Sequence, residues 1–116
     1  MNNDNTASQS WKMVKKFFHQ LSYDGNVNVK GIILLIKYVE DEHFDRILYA
    51  STSHNQLTIS RDRLCSVNRN SLRIRQEENN LTFEVFYSDT STYETMGTLD
   101  QNDFSSLFDR CVSCLE

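Results

Sequence analysis

Few residues in this chain can carry chemistry, and their spacing decides how each is read. Cys111-Val112-Ser113-Cys114 is a CxxC. A redox-active pair of that kind needs its first thiol at a helix N-terminus, where the dipole favours thiolate. Here the pair closes an apolar stripe of Phe104, Leu107, Phe108, Cys111 and Leu115 that predicts a C-terminal helix. Both thiols then fall at the negative end of the dipole, where thiolate is disfavoured. A structural zinc site needs two further ligands. Cys65, His19, His43 and His54 stand apart with no paired spacing. Cys111 and Cys114 are therefore read as reduced, metal-free core or core-edge residues, and no cofactor is expected.

Other catalytic patterns fail on spacing. Gly25, Gly31 and Gly97 are scattered, so neither a phosphate loop nor a dinucleotide fingerprint can be written. No Gly-x-Ser-x-Gly elbow occurs. Glu40, Asp41, Glu42 and Asp45 read as a solvated acidic hairpin, because the glycine and terminal glutamate of a calcium loop are missing. The chain reads as non-enzymatic, and no catalytic residue is nominated.

One asymmetry remains. Arg61, Arg63, Arg69, Arg73 and Arg75 are five of the seven arginines and lie within 15 residues, with Asp62 the only acid among them. Guanidinium groups favour directional pairing with carboxylate or phosphate. If Leu72 and Ile74 point inward on a strand, Arg73 and Arg75 share the outward face. There they either pair with Glu77, Glu78 or Glu84 or bind a partner. These five arginines are the candidate partner-binding residues.

The elements that must position them follow from the hydrophobic periods. Thr6 and Gln9 have capping-box spacing, and Trp11, Val14, Phe17, Phe18 and Leu21 follow a helical period that stops at Asp24-Gly25. From Val29 to Val39 the apolar residues predict a strand buried on both faces, with Ile32, Leu34, Ile36 and Tyr38 on one side and Ile33 and Leu35 on the other. Such a strand needs two covers, the first helix and a partner being the candidates. Phe44 to Ser51 reads as the return strand. Further strands follow at 57–59, 72–75, 81–87 and 93–99, with a hairpin turn at Asn79-Asn80. Residues 61–69 fit either a short strand or one helical turn. Asp100 or Asp103 would cap the last helix.

Antiparallel strands between two terminal helices make an α+β domain. The expectation is a flexible N-terminus at 1–7 and a single domain at 8–116, with an antiparallel sheet of six or seven strands, an N-terminal helix and a C-terminal amphipathic helix. Seven short strands before an amphipathic helix resemble the element order of pleckstrin-homology-like domains. The basic first hairpin of that group's phosphoinositide binders is replaced here by Glu40-Asp41-Glu42. With a short helix at 61–67 the order instead resembles the small acidic secretion chaperones of bacterial type III systems.

Composition bounds the partner. The chain has 116 residues, no proline, three glycines and a net charge of −4, so it lacks the global positive field of a nucleic-acid binder. The longest apolar run, Ile32 to Ile36, is far too short to span a membrane. An odd cysteine count and a polar start, MNNDNTASQS, point to an intracellular protein of cytoplasm or nucleus. The leading expectation is an adaptor or assembly subunit that presents an Arg-rich face to an acidic protein partner, with self-association through the sheet as a further route. The alternative is an immunity-type inhibitor or secretion chaperone binding a toxin or effector. Elemental analysis of protein purified without chelator is expected to find no stoichiometric zinc. Zinc that disappears in a Cys111→Ser variant would overturn the assignment of the CxxC.

Overall fold

The computed structural model describes residues 6–25, 27–62 and 69–115. Its elements are helix α1 (Ala7–Tyr23), helix α2 (Lys30–Asp41), a 3-10 turn (Phe44–Arg46), strands β1 (Tyr49–Ser53), β2 (Gln56–Ser60), β3 (Ser71–Glu77), β4 (Asn80–Tyr87) and β5 (Thr92–Asp100), and helix α3 (Ser105–Val112). The strands form one antiparallel sheet in the order β1-β2-β3-β4-β5. The α+β class and the two terminal helices are as expected. The strand count is five among the described residues rather than six or seven. Of the ambiguous segment 61–69, residues 63–68 lie outside the described residues, and residues 61, 62 and 69 belong to no strand or helix.

The main correction is Val29–Val39, which is helix α2 and not a strand. Ile32, Leu35, Ile36 and Val39 are its fully buried residues, and their i, i+3, i+4, i+7 spacing is a helical face. A run apolar at nearly every position satisfies both periods, so alternation alone could not choose between them. The decision comes from the other end of the fold. Gln76 on β3 lies on the sheet side that carries Leu81, and its Oε1 accepts from the Gly31 N–H at 2.7 Å and the Ile32 N–H at 3.3 Å. It satisfies two of the free donors at the start of α2, where Val29 supplies no side-chain cap. Its Nε2 donates to the Glu78 carbonyl and to Gln101 Oε1, both at 2.8 Å. A Cβ on Gly31 would stand 2.7 Å from Gln101 Cβ and 3.0 Å from Leu81 Cδ2, so glycine is what lets α2 begin this close to the sheet.

The acidic triplet Glu40-Asp41-Glu42 is consequently the C-terminus of α2, not a hairpin. Carboxylates there oppose the helix dipole. Lys15 of α1 meets Glu40 at 3.0 Å and Lys37 meets Asp41 at 3.4 Å, which offsets part of that cost. The expected return strand at Phe44–Ser51 is a 3-10 turn followed by β1.

Helix α1 begins as its sequence predicts, with Thr6 Oγ1 accepting from the Gln9 N–H at 3.1 Å. Trp11, Val14 and Phe18 are buried. They pack at the sheet's rim, and polar groups fix the contact. Trp11 Nε1 donates to the Leu48 carbonyl at 2.7 Å, and Ser10 Oγ accepts from the Ala50 N–H at 3.0 Å. Helix α3 buries Leu107, Phe108, Cys111 and Val112, and Leu115 beyond it. Its cap differs from expectation: Phe104 holds the N-cap position with no side-chain hydrogen bond. Phe108 instead makes edge contacts with Tyr38 and Phe44 at 5.9 and 5.5 Å between centroids, which ties α3 to α2. Leu107 seats over Gly97, where a Cβ would come within 3.1 Å.

The core therefore lies on one side of the sheet. Its strand members, Ala50, Leu57, Ile59, Leu72, Ile74, Leu81, Phe83 and Val85, all come from the face that meets the helices. Each such side chain contributes about 1.5–3 kcal/mol by leaving water. A Gln76→Ala variant is expected to lose about 2–3 kcal/mol in urea unfolding, since it orphans two helix donors and the Gln101 amide. Gly31→Ala should lose about 1–3 kcal/mol through overlap with Gln101 and Leu81. Wild-type stability in both would contradict the role given to this junction.

Candidate functional site

Alternation along β3 sends Leu72 and Ile74 into the core and Arg73 and Arg75 to the opposite face, as the sequence predicts. That second face carries cross-strand rows. One runs Tyr49, Ser60, Ser71, Phe86, Tyr93, and the next Ser51, Thr58, Arg73, Glu84, Thr95. Thr58, Ser60, Ser71 and Thr82 on this face are buried but polar, and none of them joins the hydrophobic core.

The two arginines are used differently. Arg75 reaches Glu77 at 3.6 Å and Glu84 at 4.0 Å, with more than a third of its side chain exposed. Solvated pairs of this length contribute about 0–1 kcal/mol each. Arg73 lies opposite Glu84 in register, yet its guanidinium turns away to lie 4.7 Å from the centroid of the Tyr93 ring. Tyr93 in turn packs on Phe86 with centroids 5.0 Å apart. Arg73 makes no ion pair with a described residue, and its Nε is buried without a hydrogen-bond partner. Stacking on tyrosine holds a guanidinium in place without neutralising it. Tyr93 remains 46% exposed, so the cation and its aromatic platform meet solvent together.

The other arginines of the sequence cluster lie elsewhere. Arg61 Nε donates to the Leu115 carbonyl, and Asn70 Nδ2 donates to the Cys114 carbonyl at 3.0 Å. Together they pin the segment that follows α3, a structural task. Arg69 is exposed at the approach to β3. Arg63, like Cys65, lies outside the described residues. The structure thus brings Arg73 and Arg75 onto one face and places Arg61 at the C-terminal segment. Tyr93 was missed by sequence reasoning. An aromatic at an outward position of an alternating strand was the available signal.

The thiols and histidines are placed as follows. Cys111 is buried, and burial pushes its thiol up to about 11. Cys114 is half-buried, with the Tyr87 hydroxyl 4.0 Å from its Sγ. A hydrogen bond to Glu94, followed by burial, pushes Tyr87 up to about 12. His43 and His54 occupy exposed turn positions with φ of 65° and 58°, and His19 is exposed on α1. Among the described residues no three His, Cys, Asp or Glu side chains are grouped to hold a metal ion, and no helix is long and apolar enough to cross a membrane.

Comparison of the chain with protein families, with curated proteins and with solved structures finds no match.

The Cys111 shift has a sign that can be measured. The folded state keeps this proton to about pH 11, whereas an unfolded thiol releases it near 9. The unfolded state therefore binds fewer protons between those values, and stability falls as pH rises through them. Tyr38, raised to about 12 by burial and by its hydrogen bond to Asp109, adds to the decline at higher pH. Urea unfolding over this window should show a steeper decline for wild type than for Cys111→Ala. Equal slopes would refute the buried protonated thiol.

Proposed function

We propose that this chain is a non-catalytic protein-interaction module, an adaptor or assembly subunit, and that it binds an acidic segment of a partner protein at Arg73 and Tyr93. The observation that carries the reading is the Arg73 guanidinium, held over Tyr93 at 4.7 Å without a carboxylate partner among the described residues, on the sheet face turned away from the core. Arginine beside exposed aromatic surface is the side-chain chemistry most enriched where binding energy concentrates. An incoming carboxylate gains a charge-assisted bond to a cation that stacking has already oriented.

Two further features favour binding over catalysis and over nucleic acid. Among the described residues Cys111, Tyr38 and Tyr87 have displaced titration, and each moves away from neutral pH, opposite to the tuning a general acid or base needs. The net charge of −4 repels polyanions at long range, while a local cation such as Arg73 still serves a short acidic segment.

The test is affinity for partners captured from cells, with Arg46 as an exposed control away from this face. Arg73→Glu should weaken a captured partner by about 2–3 kcal/mol, because reversal adds repulsion to lost attraction. A carboxylate at 73 stands opposite Glu84 in register, so the variant's melting temperature should fall modestly while the fold survives, and Arg46→Glu should leave affinity unchanged. A partner set that binds Arg73→Glu as tightly as wild type would overturn the reading.

A further inference from the structure

The two edges of the sheet are treated unequally. At β1 the outer edge is closed by α1, whose Ser10 hydroxyl takes the Ala50 N–H and whose Trp11 indole donates to the Leu48 carbonyl. At β5 no group from another element among the described residues hydrogen-bonds the outer backbone from Thr92 to Leu99. Thr92 to Thr95 are exposed. An edge with unpaired N–H and C=O groups is a template for a further strand.

One open edge limits the assembly that can form. Two copies that meet at β5 about a two-fold axis use both open edges and stop there. A head-to-tail contact of β5 on β1 would continue into a fibre, and α1 already covers the β1 edge it needs.

The side chains beside β5 suit the two-fold contact. Glu94 on the strand and Arg110 on α3 border the same open depression of about 360 Å³, which Thr95, Met96 and Cys114 also line. Glu94 accepts from the Tyr87 hydroxyl at 3.1 Å. Neither Glu94 nor Arg110 makes an ion pair with the other or with another described residue. A rim with one carboxylate and one guanidinium offers no single sign to a foreign segment. Across a two-fold axis it is self-complementary. The Glu94 of each copy faces the Arg110 of the other, so one contact supplies two opposite-charge pairs.

Charge also restricts the register. Glu94 lies opposite Val85, on the helix side of the sheet. Antiparallel pairing centred on Glu94 would set the two carboxylates directly against each other, which is destabilising. Pairing centred on Thr95 sets threonine against threonine on the outer face, a favourable cross-strand pair. It also sets Glu94 opposite Met96 of the second copy, at the rim that Arg110 shares. Met96 has no partner opposite it on β4. That irregularity interrupts the ladder on both sides of the axis, so the contact is short and reversible.

We propose that the outer edge of β5 receives the same edge of a second copy of this chain, antiparallel about a two-fold axis near Thr95, with Glu94 and Arg110 exchanged between copies. This goes beyond the interaction reading at Arg73 and Tyr93 and does not depend on it.

The test is sedimentation of the full chain over a concentration series, with two charge reversals. The wild-type mass should rise from one chain to two and no further. Glu94→Arg and Arg110→Glu should each self-associate about tenfold more weakly, because each sets like charges together at both contact points. Mixed in equal amounts, the two variants should form a heterodimer, since one brings two arginines to the contact and the other two glutamates. A folding defect in either variant could not produce that recovery. Outward-facing amides of β5 should exchange more slowly as the dimer fills. A wild-type chain that stays monomeric to its highest soluble concentration would overturn the inference. So would a dimer that both reversals leave intact, a mixture that fails to pair, or growth beyond two chains. Each of these results leaves the Arg73 and Tyr93 reading to its own test.

Discussion

The Gln76 side chain makes five hydrogen bonds from one position. Its carbonyl oxygen accepts from the Gly31 and Ile32 N–H groups in the first turn of α2, and its amide donates to the Glu78 carbonyl in the β3–β4 turn, to Gln101 just past β5 and, at 3.5 Å, to Asn28. Those are the start of the central helix and the ends of three adjacent strands. Gly31 allows the contact by leaving no Cβ to collide with Gln101 and Leu81. With α2 seated there, Ile32, Leu35, Ile36 and Val39 cover one side of the sheet, and Tyr38 supplies the surface on which Phe104 and Phe108 of α3 settle. All three helices then contribute to a single core on the same side of the sheet. The face with Arg73 and Tyr93 is the consequence: all three helices cover the other side.

The sheet's unequal edges follow from the same arrangement. Helix α1 meets both α2 and the β1 rim, so its serine and tryptophan are in position to satisfy β1 backbone groups. Helix α3 meets β5 through Leu107 and Gly97, from the core side of the strand. It approaches above the strand, not alongside it, and this leaves the outer backbone groups from Thr92 to Leu99 without a partner from another element among the described residues. The Arg61 and Asn70 contacts to the carbonyls of Leu115 and Cys114 fix the C-terminal segment, which keeps Cys114 beside Tyr87.

Much of this was legible in local patterns. Thr6 with Gln9, the Trp11–Val14–Phe18 stripe, the Phe104 to Leu115 stripe and the alternation at 72–75 and 81–87 each carry one period and one answer. Residues 29–39 do not, because nearly every position is apolar and the helical and extended readings bury similar area. What separates them is a hydrogen-bonded cap from Gln76, 45 positions away from Gly31, and the need of a one-sided sheet for a cover. The outward placement of Arg73 and Arg75 was legible for the same reason that Leu72 and Ile74 were. The stacking of Arg73 on Tyr93 was not, since it depends on register across two strand pairs and on an irregularity between Phe83 and Glu84 that shifts β5 by a residue.

Central to the fold is that the helices cover one face and the β1 edge of the sheet and leave the outer edge of β5 open among the described residues. Residue-resolved amide exchange on the monomeric chain tests this most directly. The account predicts that the Ala50 amide, bonded to Ser10 and roofed by α1, exchanges on the slow timescale of the core, while alternate amides of Thr92–Leu99 exchange rapidly beside slow neighbours bonded to β4. Uniform protection along β5 in the monomeric chain, or rapid exchange at Ala50, would contradict it.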